Sequence, residues 1–405
     1  MSRVTLLPQG EAEIGAVLDR LAAAPRARPF APDRIEALGL LSRTLLADRD
    51  RRRQGEAVAL GYWLRPANID EMRRRFEALA RPDCLRMPAG LAFHVPPANV
   101  DTMGIYSWAL SFLCGNVSIL RLSQRSSPLS LRLVEIVQDT LAARSLADCT
   151  AFVSYGHDAE ITGAISRCAD LRVIWGGDAS IAAVRAVPLS PHAKEVVFAD
   201  RLSLSVLSVP AWLGLDEAAR TALGQRAFND IYSFDQMGCS SPRLIVWCGP
   251  PDQVRTASAG FSAALRREIA RRGYHAAPAT ALGKYTAACA AAIDWPVARI
   301  GFEDLDWVVL DLGERPGRLP QIGGGGGIAV EMRIDRLAEL VPLLDRRVQT
   351  IAHFGFDRAS LADFAERACG CGGDRLVPIG EALNFSSLWD GYDLLQEFTR
   401  AVELR

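Results

Sequence analysis

The residues whose types and spacing best suit chemistry surround one cysteine, Cys239. It lies in the segment Phe-Asp-Gln-Met-Gly-Cys-Ser-Ser-Pro-Arg, residues 234–243. A helix is predicted over 216–232 and a strand over 243–247, so the segment joins two elements. Gly238 frees the backbone before the thiol, and we expect a tight turn there. A catalytic thiolate needs this setting, because nearby backbone N–H groups can stabilise both the thiolate and an oxyanion.

Cys239 is one of nine cysteines, and the ordinary alternative for a cysteine is burial as a small apolar side chain. Six others lie in or beside apolar stretches and are expected to be buried in this way, namely Cys84, Cys114, Cys149, Cys168, Cys248 and Cys289. Cys369 and Cys371 have only one residue between them and no histidine close behind, so no metal site is predicted. An odd number of scattered cysteines and the absence of a secretory signal pattern favour free thiols in the cytoplasm.

Charge and composition exclude several classes of protein. The 405 residues include 46 Lys and Arg against 47 Asp and Glu, which argues against a nucleic-acid-binding surface. Residues 102–120 carry no charge and approach the length that spans a bilayer. Gly115 and Asn116 interrupt this stretch, so we predict a buried helix, a turn and a strand, with no membrane span. The arginine runs 51–53 and 73–75 are predicted to be solvated helix faces.

From residue 90 onward, short apolar runs alternate with amphipathic stretches, the pattern of a parallel sheet with helices on both faces. Strands are predicted over 91–95, 117–122, 151–154, 171–175, 203–209, 243–247, 307–312, 328–334 and 348–352. Helices are predicted over 101–114, 128–143, 158–168, 179–187, 216–232, 253–272, 336–344 and 358–367. Residues 1–80 read as mainly helical. The five glycines of 323–327 must form a loop.

The pattern repeats after about residue 200 and predicts an α/β protein with two lobes. Residues 1–200 would form a helical N-terminus and a nucleotide-binding lobe. Residues 201–380 would form a lobe that carries Cys239, and residues 381–405 would pack back on the body. No Gly-x-Gly-x-x-Gly fingerprint follows the first strands, so a nucleotide must be held in another way.

Several segments resemble, in the same order, those of the aldehyde dehydrogenase superfamily. The helix, Gln-x-x-Cys turn, arginine and strand around Cys239 resemble its active-site segment. Residues 96–99, Pro-Pro-Ala-Asn, resemble the segment whose asparagine forms the oxyanion hole. Residues 114–121 resemble the Gly-Asn-strand-basic segment that holds the adenosine ribose. The turns at 155–156 and 175–178 resemble two glycine turns on the nucleotide side.

Within that superfamily the chain resembles the LuxC-like acyl-CoA reductase family over about residues 90–395. The resemblance rests on Cys-Ser-Ser-Pro-Arg at the thiol, on Val-Gln-Thr at 348–350 and on the terminal Phe-Ser-Ser-Leu-Trp-Asp-Gly-Tyr-Asp at 385–393. It implies an aldehyde dehydrogenase-like fold with two Rossmann-like lobes. The glutamate that activates water in hydrolytic relatives is replaced by Ala199, with Asp200 one position away.

The resemblance implies NADPH-dependent reduction of an acyl-CoA, with fatty acyl-CoA expected, to an aldehyde through an acyl-enzyme on Cys239. Asn99 and the Cys239 N–H would hold the oxyanion. Cofactor-binding residues would be Arg121, Ser123, Arg125, Gly156, Gly176, Gly177 and Gln236. The two arginines suit a 2′-phosphate and favour NADPH over NADH.

Other interpretations stay open for several of these residues. The arginines could simply be surface residues at a strand end, Gln236 could bond the local backbone, and Asn99 could cap a helix beginning near Asp101. Alternative functions are a CoA-acylating aldehyde dehydrogenase working oxidatively, a reductase of carrier-protein thioesters, and a non-catalytic binding subunit. The resemblance also implies a homo-oligomer.

Overall fold

The computed structural model describes residues 2–47, 55–302, 304–313 and 315–405. The chain divides into two compact units. Met1–Asp200 and Phe385–Arg405 form the first unit, and Arg201–Asn384 form the second. The arginine run at 51–53 lies outside the described residues.

The elements follow one another in chain order through both units. Residues up to 200 form β1 (Arg3–Leu6), β2 (Glu11–Glu13), α1 (Ile14–Ala23), α2 (Pro32–Ala47), α3 (Gly55–Trp63), α4 (Pro66–Ala78), β3 (Cys84–Pro88), β4 (Leu91–Val95), α5 (Met103–Leu113), β5 (Val117–Leu122), α6 (Pro128–Ala142), β6 (Thr150–Ser154), α7 (Ala159–Cys168), β7 (Leu171–Trp175), α8 (Asp178–Arg185) and β8 (Lys194–Phe198). The second unit holds β9 (Leu202–Ser208), α9 (Val209–Leu213), α10 (Glu217–Tyr232), β10 (Leu244–Cys248), α11 (Pro251–Arg272), α12 (Pro278–Asp294), β11 (Val297–Gly301), β12 (Val308–Leu312), β13 (Ile328–Ile334), β14 (Val348–Phe354), α13 (Arg358–Arg367) and β15 (Arg375–Pro378). The C-terminal segment adds β16 (Leu388–Trp389), β17 (Tyr392–Asp393), α14 (Leu394–Glu397) and β18 (Thr399–Glu403) to the first unit.

The main sheet of the first unit has the strand order β2-β1-β6-β5-β4-β7-β8. Strands β4 to β8 run parallel, and β1 pairs antiparallel with β6. Every residue of β4, β6 and β7 is buried, as expected for strands covered by helices on both faces. The chain steps from β4 to β6 on one side and then returns to the other side of β4. At such a reversal, here at the carboxyl ends of β4 and β7, α/β sheets bind ligands.

One expectation for this unit needs adjustment. Residues 1–80 are not helical from the start, because β1 and β2 extend the sheet before α1 begins. Short strands of polar and apolar residues at a sheet edge have no strong pattern of their own. The uncharged stretch at 102–120 is explained by α5, whose side chains are all buried. Within the described residues, no helix is long and apolar enough to cross a membrane.

The C-terminal segment completes the first unit. Strand β18 pairs antiparallel with β3, and the side-chain amide of Asn116 donates a 2.9 Å hydrogen bond to the carbonyl oxygen of Phe398. Trp389 is buried against Tyr106, with ring centroids 5.5 Å apart. These aromatic residues therefore pack the terminal turn against the sheet and its helix α5.

The sheet of the second unit has the order β11-β12-β13-β10-β9-β14-β15. Its strands are parallel except β11, which pairs antiparallel with β12 at the edge. The helix predicted over 336–344 is a 3₁₀ helix, Leu337–Leu343, that contains Pro342. Proline cannot donate the backbone hydrogen bond that an α-helix interior requires.

Candidate functional site

Cys239 lies half-buried in the turn between α10 and β10. The backbone before it is unusual, because Phe234, Asp235 and Gln236 have φ angles of 61°, 49° and 59°. Such left-handed conformations cost about 1–2 kcal/mol for each residue that has a side chain. The expectation that Gly238 supplies the backbone freedom is wrong, since Gly238 is absent from the residues with positive φ. The turn is shaped instead by the three residues 234–236, here called the left-handed segment.

The carboxamide of Gln236 offsets this cost. Its Nε2 donates to the carbonyl oxygens of Pro242 and Ile328 at 2.9 and 2.8 Å. Its Oε1 accepts hydrogen bonds from the N–H groups of Gly327 and Ile328, both at 3.0 Å. The side chain is fully buried and uses its two donor hydrogens and two acceptor positions. The sequence left two roles open for Gln236, cofactor binding and hydrogen bonding to the backbone. In the structure its side chain bonds the backbone.

Three further side chains attach the thiol turn to the sheet. Ser203, at the start of β9, donates a 2.7 Å hydrogen bond to the carbonyl oxygen of Cys239. Ser240 donates to Gln349 of β14 at 3.4 Å. Arg243 donates to the carbonyl oxygens of Gln236 at 2.9 Å and Ile322 at 3.2 Å. Because these strands begin here, the turn lies at the amino edge of the second unit's parallel sheet.

The glycine run 323–327 packs directly on the left-handed segment. The N–H of Gly326 donates to the carbonyl oxygen of Asp235 at 2.7 Å. A Cβ atom at Gly325 would lie 2.5 Å from the same oxygen and 3.1 Å from Sδ of Met237. The glycines therefore permit a close approach that no other residue type allows. The sequence predicted only a loop for this run, and the structure shows why glycine is needed in it.

One buried and one half-buried histidine have environments that disfavour a charge. His94 on β4 is fully buried, and burial lowers its pKa to about 3. Its Nδ1 lies 2.8 Å from Oγ of Ser107, within the first unit. Burial also lowers the pKa of His353 on β14. Both imidazoles are thus neutral near pH 7, so neither would provide an imidazolium to stabilise a thiolate.

Asn99 lies exposed in the first unit, in the turn between β4 and α5. Thr102 is the N-cap residue of α5, and no side-chain hydrogen bond closes this cap. The residue at the cap position is therefore Thr102 and not Asn99. Thr102 Oγ1 donates instead to Glu56 at 3.5 Å, and burial raises the pKa of Glu56 to about 7. Asp101 accepts a 2.6 Å hydrogen bond from Ser130.

The predicted nucleotide-binding residues follow the carboxyl ends of β5, β6 and β7. Arg121 donates a 2.9 Å hydrogen bond to the carbonyl oxygen of Gly156, and its guanidinium lies 4.7 Å from the ring centroid of Tyr155. The structure thus brings Arg121 and the Gly156 turn together. Ser123 and Arg125 are exposed in the loop after β5, and Ser123 Oγ accepts from the Arg125 N–H at 3.1 Å.

The turn after β7 is open enough for a ligand to approach its backbone. A Cβ atom at Gly177 would meet nothing within 4 Å, and one at Gly176 would meet only Cβ of Ser180 at 3.5 Å. Gly177 is also the N-cap residue of α8 and provides no side chain to its first turn. An exposed helix N-terminus at the carboxyl edge of a parallel sheet favours a phosphate group. The residues of this edge therefore fit a dinucleotide.

The remaining cysteines differ partly from expectation. Cys114, Cys149 and Cys248 are buried, and burial raises the pKa of Cys248 to about 11. Cys84 is half-buried and Cys168 and Cys289 are exposed, so the burial expected for these three is wrong. Across the described parts of the chain, no group of three or more His, Cys, Asp or Glu side chains could hold a metal ion.

Comparison with solved structures identifies the fold as that of the aldehyde dehydrogenases. The NAD⁺ complex of aldehyde dehydrogenase from Bacillus cereus superposes with a TM-score of 0.64 at 12% identity, over 99% of this chain and 93% of that chain. Lactaldehyde dehydrogenase from Escherichia coli superposes with a TM-score of 0.64 at 15% identity, over 97% and 92% of the two chains.

The particular family follows from the sequence comparison. The model of the acyl-CoA reductase (LuxC) family matches residues 67–282, and the chain belongs to this family. Long-chain acyl-protein thioester reductase 2 of Photobacterium leiognathi is 27% identical over 166 residues, which are 40% of this chain and 33% of that protein. The corresponding reductase of Photobacterium phosphoreum is 26% identical over 178 residues, 43% and 35% of the two chains. The matches span about a third of the length of these curated relatives.

Proposed function

We propose that this protein reduces the thioester of a long-chain acyl group to an aldehyde, with NADPH as the reductant and Cys239 as the nucleophile. The observation that carries the proposal is that the half-buried Cys239 follows a left-handed segment. Hydrogen bonds to both the side chain and the backbone of Gln236 hold this segment in place. Such a turn fixes the thiol and neighbouring backbone N–H groups in one arrangement. Membership of the acyl-CoA reductase family supports the same reaction.

In the proposed reaction, the thiolate of Cys239 attacks the carbonyl carbon of the acyl thioester. The new S–C bond forms while negative charge develops on the carbonyl oxygen, which the Cys239 N–H would stabilise. The resemblance implies Asn99 as a second donor, and that role stays a prediction. The original C–S bond then breaks and releases CoA or a carrier thiol, leaving the acyl group on Cys239. Hydride transfer to this carbonyl carbon is the chemistry that NADPH would supply when bound. The oxyanion of the resulting thiohemiacetal then re-forms the C=O bond. The C–S bond breaks with its electron pair on the sulfur of Cys239, and the aldehyde is released.

The position of Ala199 supports reduction over hydrolysis. It occupies the place that the resemblance gives to the water-activating glutamate, and its methyl group has no proton to transfer. Asp200, one residue later, donates its backbone N–H to Asp178 at 3.4 Å. Without a base at position 199, the acyl-enzyme would persist long enough to accept a hydride.

The first unit would bind the nucleotide at the carboxyl edge of its sheet. The open turn at Gly176 and Gly177 would hold phosphate through backbone N–H groups. Arg121 would keep the Gly156 turn in place, and Ser123 and Arg125 would meet a 2′-phosphate. This arrangement supports NADPH over NADH.

A carrier-protein thioester is the second candidate substrate. The two curated relatives are named acyl-protein thioester reductases, and both match this chain. CoA and carrier-protein esters share the thioester that Cys239 would attack, so one chemistry serves both. A homo-oligomer remains our prediction for the assembled enzyme.

The experiment is NADPH oxidation by the purified protein with palmitoyl-CoA and with a palmitoylated acyl carrier protein. Cys239→Ala is the test variant, and Cys289→Ala, at an exposed cysteine on α12, is its matched control. We expect the wild-type protein to turn over at least one ester. Cys239→Ala should lose this turnover, and Cys289→Ala should keep it. Unchanged turnover in Cys239→Ala would overturn the proposal. If the protein instead reduced NAD⁺ in the presence of an aldehyde and CoA, but did not reduce the acyl-CoA, the result would favour a CoA-acylating aldehyde dehydrogenase.

A further inference from the structure

Two side chains outside the thiol turn converge on Gly326 in the glycine run. The ammonium group of Lys284 on α12 donates a 2.6 Å hydrogen bond to the carbonyl oxygen of Gly326 and a second one to Leu305. A Cβ atom at Gly326 would lie 3.1 Å from the hydroxyl of Tyr274 and 3.9 Å from Nζ of Lys284. Both polar groups therefore lie close to the same residue, Gly326.

Gly326 is also hydrogen-bonded to the left-handed segment. The N–H of Gly326 donates to the carbonyl oxygen of Asp235, and the hydroxyl of Tyr274 donates to Oδ1 of Asp235 at 2.9 Å. Asp235 is thus held through its main chain by the glycine run and through its side chain by Tyr274. Loss of either hydrogen bond would remove support from Asp235, whose backbone is in an unfavourable conformation.

The surroundings of both groups indicate a fixed geometry. Lys284 is fully buried, and burial lowers its pKa to about 8. A buried amine is unfavourable unless it is hydrogen-bonded, and here two backbone carbonyls accept from it. Tyr274 is held by its ring, which packs edge-on against Tyr232 and Phe228 with centroids 4.7 and 6.3 Å apart.

We propose that Tyr274 and Lys284 are positioning residues that clamp the glycine run onto the left-handed segment and thereby hold Cys239 in its attacking geometry. The clamp rests on the proposed function, because its purpose is the alignment of the Cys239 thiol. Neither residue touches the reacting atoms in this account. Both act through Asp235 and Gly326.

The test separates alignment from stability. Tyr274→Phe removes one hydroxyl and keeps the ring, and Lys284→Met keeps the chain length without the ammonium. Tyr285→Phe, at an exposed ring on α12, is the control. Acylation by palmitoyl-CoA is followed in single turnover without NADPH, well below the melting temperature, and the rate constant is expressed per titratable Cys239 thiol. Alkylation of Cys239 by iodoacetamide is measured in parallel as a function of pH.

We expect the acylation rate constant to fall about tenfold in each clamp variant, because small displacements of reacting groups lower rates strongly. The pH midpoint of Cys239 alkylation should rise in both, while Tyr285→Phe matches the wild type. An unchanged rate constant and midpoint, even with a lower melting temperature, would overturn the clamp. If Lys284→Met fails to fold, Tyr274→Phe decides the matter.

Failure of the proposed function would look different. Wild-type protein would then show no acylation of Cys239, or Cys239→Ala would retain turnover. The alkylation midpoints would still test the clamp in that case, since they report the local environment of the thiol without a thioester substrate. A raised midpoint in Tyr274→Phe supports the clamp, and an unchanged midpoint overturns it.

Discussion

The hydroxyl of Ser203 donates a 2.7 Å hydrogen bond to the backbone carbonyl oxygen of Cys239. The same oxygen atom of Ser203 accepts a 3.3 Å hydrogen bond from the N–H of Thr350. One buried side chain on β9 therefore joins the thiol turn to β14, the next strand of the sheet. This arrangement anchors the turn after Cys239, as Gln236 anchors the segment before it.

Ser203→Ala should weaken both the fold and the site. We expect a loss of about 1–3 kcal/mol in the free energy of unfolding, because the carbonyl of Cys239 loses its partner in a partly buried place. The acylation rate should fall as well. Urea unfolding and single-turnover acylation measure the two effects. Ser205→Ala, at another buried serine of β9, is the control, and an equal loss in both variants would contradict a specific role for Ser203.

Two alanine substitutions in the glycine run should have opposite outcomes. In Gly325→Ala the new Cβ would lie 2.5 Å from the Asp235 carbonyl oxygen, so the left-handed segment must move and turnover should fall at least tenfold. In Gly323→Ala the Cβ meets nothing within 4 Å, and we expect activity near that of the wild type. Steady-state NADPH oxidation measures both. Similar activities in the two variants would contradict the close contact.

Arg125→Ala should alter the choice of nucleotide. If the proposed 2′-phosphate site is correct, loss of this exposed cation should raise the KM for NADPH about tenfold and leave the KM for NADH nearly unchanged. Arg132→Ala, at an exposed arginine on α6 that pairs with Glu135, serves as the control. Equal changes for both nucleotides would show that Arg125 does not contact the 2′-phosphate.

Glu331→Gln should change how stability depends on pH. Burial of Glu331 on β13 raises its pKa from 4.5 to about 7, although Ser258 donates a 2.6 Å hydrogen bond to it. The folded state therefore favours the protonated form. This contribution to stability is fully present below the unfolded pKa of 4.5 and is lost as the pH rises through about 7.

Relative to Glu331→Gln, the wild-type protein should lose up to about 3 kcal/mol of unfolding free energy between about pH 5 and about pH 8. Urea titrations at several pH values measure this difference. The amide of the variant does not ionise, so its burial does not become more costly as the pH rises. The variant should therefore be the more stable protein at the alkaline end. Parallel pH profiles for the two proteins would show that Glu331 is not protonated in the folded state.

Much of the fold could be predicted from the local sequence. The bounds predicted for 91–95, 117–122, 171–175 and 328–334 match β4, β5, β7 and β13. These strands are mostly buried and are rich in apolar and β-branched residues, which is a local signal. Helix α12 and strand β11 were missed. The alanines of α12 do not mark one face, and β11 at the sheet edge is mostly half-buried or exposed.

The candidate site was predictable where its residues adjoin Cys239 in the chain. Gln236 and Arg243 belong to the same motif, and their contacts with the turn span only a few residues. Tyr274, Lys284 and Ser203 could not be found in this way, because each lies more than thirty residues from Cys239 or on another strand. Their roles depend on hydrogen bonds that exist only after the sheet and α12 have assembled.

The sequence by itself determined the α/β class, the family resemblance and the identity of the candidate nucleophile, since these depend on local periodicity and a contiguous motif. Only the tertiary structure decided how the thiol turn is held. The left-handed conformation of residues 234–236 is unfavourable in isolation. It persists because partners from β13, the glycine run and the loop after α11 supply hydrogen bonds that compensate for its cost.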